Sequence, residues 1–540
     1  MSHEDVSAAA EMRWNGWGDP NRVSGLPFAV RALLPAILGR VRRPAAAPGI
    51  DEVEVAPSLL TEADQATLRE VVGAEDVDLS AGARLRHAGG RSTPDLLERR
   101  GHRQETPDGI VLPASHDEVA EVLRLASERR IAVVPFGGGT SVVGGVDPER
   151  GPHHAVISLD LRRLTGLVSF DSVSGEAVLR AGTRGPEAER LLSERGFELG
   201  HYPQSFRYAT IGGFAAARSS GQNSAGYGRF DTMVTGLRVA TPTGELDLGR
   251  APGSAAGPDL VRLFLGSEGV FGVITEVRVR VHPVPAERIV ESWSFPDFVT
   301  GAEALRRTVQ SGAGPTVIRL SDEVETGVSL AQVGRIGKAL SKGASVVAVF
   351  EGEDAETRRV RTAGFLSAAG GTSTGRTGAQ DWLDTRFDGP YLRDALLDVG
   401  VFCETLETAT TWANLQRLRQ AVADALRTGF AQDDAKSFVM CHVSHVYPTG
   451  ASLYFTVLAG IRGDQLAVWD RVKHRVGDAI MAAGGTITHH HAIGRDHAPW
   501  LEDEIGETGL RILRAVKAEL DPAGVLNPGA LIPVPSGSGT

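Results

Sequence analysis

Two cysteines, Cys403 and Cys441, are all that 540 residues contain. They are too few and too isolated for a disulfide framework or a thiolate metal site, and they fit a reducing cytoplasm. Basic residues do not predominate. Lys and Arg number 56 against 67 Asp and Glu, leaving a net charge of -11, so the electrostatic footprint of a non-specific nucleic-acid binder is missing. The first twenty residues lack the apolar core of a secretory signal. No apolar run reaches the ~20 residues of a membrane-spanning helix. Leu26–Val41 comes closest, but Arg31, Pro35 and Arg40 interrupt it and Arg42 and Arg43 follow. It reads either as a helix packed on the core or as a basic amphipathic segment lying on a membrane surface.

What is present is ordinary globular material, 42% apolar and 23% charged, long enough for two or three domains. Residues 1–105 read as a helical leader broken by Pro and Ala around Pro44–Pro48. A second unit, 106–286, starts with a Ser115-x-x-Glu118 capping box and a helix marked by Val119, Val122, Leu123 and Ala126. Strands are expected at Ile131–Val134, Val156–Leu159, Ala177–Arg180, Leu237–Thr241 and Val273–Val281. From 287 to 485 strands and helices mix without glycine loops, which reads as a substrate-facing second domain. Residues 486–540 return to the first domain through a helix near Leu510–Leu520. The tail Pro533–Thr540 is rich in Pro, Ser and Gly and is expected to be unstructured.

Three stretches of small residues stand out. Pro135-Phe136-Gly137-Gly138-Gly139-Thr140-Ser141 is followed by Val142, where a Gly-x-Gly-x-x-Gly fingerprint requires its third glycine, and no helix follows. It is therefore not a Rossmann loop. The second runs from Tyr208 to Gly228 and the third from Gly266 to Glu276. One such run is loop punctuation. Three within about 150 residues suit a large, extended cofactor whose flat and phosphorylated parts approach bare backbone.

With these motifs the chain resembles the vanillyl-alcohol-oxidase flavoproteins, and within them the alkyldihydroxyacetonephosphate synthase branch. Arg13-Trp14-Asn15-Gly16-Trp17-Gly18 resembles that branch's leader motif. The resemblance implies an α+β fold: an FAD-binding PCMH-type domain with a second α+β substrate or cap domain. It implies non-covalent FAD, since Thr140 stands where members that bind FAD covalently often carry His. Cofactor contacts are implied at Pro135, Phe136, Gly137, Gly138, Gly139, Thr140 and Ser141. Further contacts are implied at Gln204, Ser205, Thr210, Ala217, Arg218, Ser219 and Ser220, and at Glu268, Gly269, Val270, Phe271, Gly272, Val273 and Ile274. Gln204 departs from the acidic residue usual there.

Cys441–Phe455 resembles the stretch that ends in the branch's active-site tyrosine, here Tyr454, and Thr488–His491 its histidine triplet. Val317–Leu320 and Tyr391–Asp394 resemble the segments holding its functional arginines, here Arg319, with a catalytic role, and Arg393, a substrate-binding one. Histidine, with an ordinary pKa near 6.5, is a natural base at neutral pH. If His489, His490 and His491 occupy a strand, His489 and His491 share one face and His490 the other. That arrangement, with no carboxylate or cysteine cluster beside it, argues against a metal ion. The implied activity exchanges the acyl group of acyl-dihydroxyacetone phosphate for a fatty alcohol, without net redox change. The implied partner is thus a small-molecule or lipid substrate with an anionic headgroup. An FAD-linked oxidase or dehydrogenase of a D-2-hydroxy acid, and a non-catalytic flavin- or lipid-binding protein, are the alternatives. Peripheral membrane contact and a homodimer are left open.

Overall fold

A computed structural model of the chain describes residues 11–22, 25–26, 28–39, 41, 44–332 and 343–533. The tail from 534 onward and the basic residues Arg40, Arg42 and Arg43 lie outside the described residues.

Among the described residues the leader holds four short α-helices, Phe28–Leu38, Glu62–Val72, Ala81–Arg86 and Thr93–Glu98, and the stretch Pro44–Pro48 falls between the first two. The leader's second half is built into a sheet, because Val77–Asp78 pairs with Gly109–Val111 and places buried Val77 opposite buried Val111. In Phe28–Leu38, Leu34 and Leu38 pack with Leu396, Val401 and Cys403. Phe28, Leu33 and Ile37 on the same helix stay 86%, 56% and 47% exposed. One side is core, and Leu33 and Ile37, four residues apart, make an exposed apolar strip on another side.

The first sheet has the order Val77–Asp78, Gly109–Val111, Ala155–Asp160, Ile131–Phe136. Its last three strands run parallel. Parallel strands are covered on both faces, which explains the uninterrupted apolar runs. The helix His116–Arg129 precedes Ile131–Phe136. The Ser115 hydroxyl accepts the Glu118 N–H at 3.1 Å. The Glu118 carboxylate reaches the N–H of Ala114 at 2.8 Å, so the capping interaction closes one residue further back than the sequence predicts. Five antiparallel strands, including Glu176–Arg180, Val234–Thr241 and Val273–Arg280, form a second sheet. Both sheets share one apolar core.

A separate core runs from Trp293 to Ala483. It lies on a seven-stranded antiparallel sheet whose last three neighbours are Ser437–Val443, Gly450–Ala459 and Phe402–Thr411. Directly opposed residues share a face. His442 pairs with Tyr454 and Tyr454 with Glu407, so the three stand in one row across the sheet.

The last helix runs from Leu501 to Leu520, bent at Gly506 where φ is 76°. Leu510 and Leu526 return to the first core. The N–H of Asn527 bonds to the Val133 carbonyl at 2.8 Å, adding the end of the chain to the strand that carries the first glycine loop.

Candidate active site

The three glycine-rich runs are one surface. A Cβ on Gly138 would lie 2.0 Å from the Tyr208 carbonyl oxygen, one on Gly137 2.5 Å from Thr210 Oγ1, and one on Gly269 2.6 Å from Pro135. Small residues are thus demanded first by backbone packing on backbone. Thr210 caps the helix Ile211–Ala216, accepting the Gly213 N–H at 3.2 Å, and Ala217 closes it. The carbonyl of Ser205 accepts the N–H groups of Tyr208 and Ala209. Arg218 adopts φ 50° and pairs with Asp231. Ser219 meets His201 at 2.7 Å, and Ser220 meets His445 at 3.0 Å. Phe136 packs against His87, and the side chains of Val270, Phe271, Val273 and Ile274 are buried. Gln204 is exposed. Among the described residues, Ser267 Oγ, Gln222 Oε1 and Asn223 Oδ1 are buried without a hydrogen-bond partner. Bare backbone beside unmet polar atoms fits a large, partly polar cofactor.

Glu268, expected among the cofactor contacts, spends its carboxylate otherwise. Its oxygens accept the N–H of Ile493 at 3.1 Å and of Gly494 at 2.8 Å. Burial pushes this carboxyl up to about 7, against the pull of those N–H groups. Gly494 also sits on the first glycine loop, since a Cβ there would lie 1.9 Å from the Val143 carbonyl. The segment just after the three histidines is therefore bolted to the glycine-rich loops.

The histidines themselves occupy bends, not the strand expected from sequence. The carboxylate that seemed absent is present: Glu407 accepts the backbone N–H of all three, at 2.6, 3.0 and 2.9 Å. Bonding successive N–H groups to one acceptor curls the backbone, so the two-fold alternation of a strand is lost. His489 Nε2 lies 2.6 Å from the Tyr447 hydroxyl, and its Nδ1 3.0 Å from His490 Nδ1. His445 stacks on His489 with ring centroids 4.9 Å apart. The curl brings nitrogens of His445, His489 and His490 within 4.8 Å of one another, so the geometric argument against a metal ion does not hold. The nitrogens do have other partners: His445 Nδ1 meets Ser224 at 2.6 Å, and His489 meets Tyr447 and His490. Burial, then His490, hold His489 well below the ordinary imidazole range, and burial takes His491 down to about 3. Both rings are neutral at pH 7, and burial opposes their protonation.

Tyr454 lies against His442 (4.8 Å, 18° between planes) and His490 (6.0 Å). Burial, with Glu404 and Glu407 near, pushes its phenol up to about 12, which disfavours a phenolate base. Arg319 Nη2 bonds Glu325 at 2.5 Å and His442 at 2.9 Å. Burial opposes the Glu325 charge, but His442 and Arg319 hold its carboxyl down at about 2. Arg393 is committed further. Its Nε and Nη2 bond Asp394 at 3.1 and 3.0 Å and its Nη1 the Arg91 carbonyl at 2.5 Å. Asp394 in turn accepts the Trp17 N–H at 2.6 Å, and Trp17 packs edge-on to Tyr208. Two of the five N–H donors of Arg393 thus brace Asp394, which holds Trp17 of the leader motif, and a third reaches Arg91 directly. Sequence reading missed Glu407, His445 and Tyr447. The spacing His442-x-x-His445-x-Tyr447 within the quoted motif was the available signal for two of them.

Residues 107–248 match the FAD binding domain model and residues 284–531 the C-terminal domain of FAD linked oxidases. Over 98% of its length the chain is 34% identical to alkyldihydroxyacetonephosphate synthase of Trypanosoma brucei brucei, covering 94% of that protein, and 31% identical to that of Dictyostelium discoideum, covering 95%. The chain belongs to the alkyldihydroxyacetonephosphate synthase family. A solved alkyldihydroxyacetonephosphate synthase superposes over 97% of this chain and 99% of its own, with TM-score 0.83 and 27% identity. p-Cresol methylhydroxylase shares the fold, with TM-score 0.65 and 15% identity, covering 89% and 99%. As a member of this synthase family the chain uses FAD, held without a covalent bond. The D-lactate dehydrogenase [cytochrome] of Arabidopsis thaliana is a more distant relative, 27% identical over 79% of this chain and 74% of that one.

Proposed function

We propose that this protein exchanges the acyl group of acyl-dihydroxyacetone phosphate for a fatty alcohol, the ether-forming step of ether-lipid synthesis. The C–O bond to the fatty carboxylate breaks, a C–O bond to the alcohol oxygen forms, and the alcohol proton leaves with the carboxylate. Nothing is oxidised overall. The observation that supports this most is the neutral imidazole of His489, hydrogen-bonded to Tyr447, in a chain so similar to the synthase over almost all its length.

FAD, when bound, supplies an electron-accepting ring, and Pro135–Ser141, Thr210 and Ser219–Ser220 are the residues we assign to holding it. The Tyr447 hydroxyl oxygen takes the proton from the carbon beside the substrate carbonyl as its own proton passes to His489 Nε2, and both return after exchange. The Tyr447 hydroxyl orients that ring. His490, His491 and Tyr454 line the same space, and Arg319, fixed by Glu325, faces the anionic headgroup. We assign lipid contact to the exposed Leu33 and Ile37 strip, a route for a water-insoluble alcohol. No described helix is long and apolar enough to cross a membrane.

The test is product analysis of the FAD-loaded protein given acyl-dihydroxyacetone phosphate. An ether product that forms only when a long-chain alcohol is supplied supports the proposal. Anaerobic flavin bleaching by a D-2-hydroxy acid, with electrons passed to a dye and no ether formed, assigns the chain to dehydrogenase chemistry instead.

A further inference from the structure

The histidine loop is gripped from both domains by buried carboxylates. From the first domain Glu268 holds Ile493 and Gly494. From the second, Glu407 has no side-chain exposure and takes four hydrogen bonds: three backbone N–H groups and the Thr488 hydroxyl at 2.6 Å. Between the two grips, Ala492 adopts φ 76°. A residue with a Cβ keeps that conformation only where its surroundings over-determine it. Glu407 also faces the rings, 3.5 Å from His490 Nδ1 and 3.9 Å from His491 Nδ1. Among the described residues no lysine or arginine pairs with it. Its charge is therefore offset by donors that all belong to the histidine loop.

We propose that Glu407 is a positioning residue for the reaction. It holds the rings of His489–His491 toward Tyr447, Tyr454 and the glycine loops, and its negative charge stabilises the imidazolium that forms when His489 or its hydrogen-bonded neighbour His490 carries the proton passed on by Tyr447. This rests on the reading of that loop as catalytic. The register explains why a strand supplies the carboxylate: Glu407 stands opposite Tyr454, so one row of the sheet delivers both to the loop. A neutral amide at this place would keep the volume but lose the charge, and its NH2 group would confront N–H donors.

Glu407→Gln, purified with FAD, is compared with wild type in steady-state turnover, flavin content and thermal unfolding. The expected result is a kcat lower by about 100-fold, a KM for the acyl substrate within about threefold of wild type, and retained flavin. A kcat within about threefold of wild type overturns the inference. So does a loss that tracks flavin loss or unfolding across preparations, which marks a purely structural role. If Glu407→Gln does not fold, Thr488→Val removes one donor alone. A kcat fall of about 3- to 10-fold at unchanged melting temperature then supports the inference, and an unchanged kcat overturns it. A wild-type protein that forms no ether product defeats the proposed function. An active wild type with an unimpaired Glu407→Gln defeats this inference alone.

Discussion

The Tyr447 hydroxyl and His489 Nε2 lie 2.6 Å apart, a contact between the strand-to-strand connection of the second domain and the loop that follows its last helix. Burial raises the phenol's pKa although Arg229 pulls the other way, so the phenol keeps its proton and donates it to the ring. That bond fixes which imidazole nitrogen is lone-paired. Tyr447→Phe removes it without changing shape. We expect kcat to fall by about 10- to 100-fold with little change in KM or flavin content, measured by steady-state kinetics beside the flavin absorption spectrum.

Arg393 separates stability from substrate binding. Its ion pair with Asp394 is nearly enclosed, with side chains 11% and 13% exposed. Arg393→Ala leaves that carboxylate short of a partner, at a cost of about 3–5 kcal/mol. Denaturant unfolding should show the loss directly. If the residue also serves the headgroup, KM for phosphate-bearing substrate rises at temperatures where the variant remains folded; an unchanged KM confines it to tying down the leader.

Gly138 tests the cofactor loops. A methyl there would meet the Tyr208 carbonyl at 2.0 Å, and backbone on both sides must give way. Gly138→Ala is expected to cost about 1–3 kcal/mol and to strip the yellow flavin absorbance on gel filtration. Gly463→Ala, with nothing within 4 Å of its Cβ and no positive φ, should keep its flavin and serves as the matched control.

A pH dependence follows from Glu198, buried at the join between the domains. Burial, then Glu189 and Glu351, push its carboxyl up to about 8. Between the ordinary carboxylate range and pH 8 the folded chain keeps a proton that the unfolded chain releases. Its contribution to stability is complete at acid pH and is lost as pH rises through about 8. The melting temperature should therefore fall between about pH 5 and 8 and level off above that, and Glu198→Gln should flatten that part of the curve.

Much of the fold was legible in the residues because its signals are local. Apolar runs marked the strands at Ile131 and Ala155, alternation marked Val273–Arg280, and Ser115 marked a helix start. The glycine-rich runs pointed correctly to FAD. The histidine loop was not legible, because its conformation answers to a distant residue. The chain places Glu407 some eighty residues before His489, and no spacing rule joins them.

The sequence by itself determined which segments could be strand, helix or side-chain-poor loop, since those choices depend on neighbours three or four residues away. Tertiary structure decided what the loops are for. It set Tyr208 over Gly138, Glu268 under Gly494 and Glu407 beneath three histidines, because a buried carboxylate must collect its donors from wherever the fold brings them.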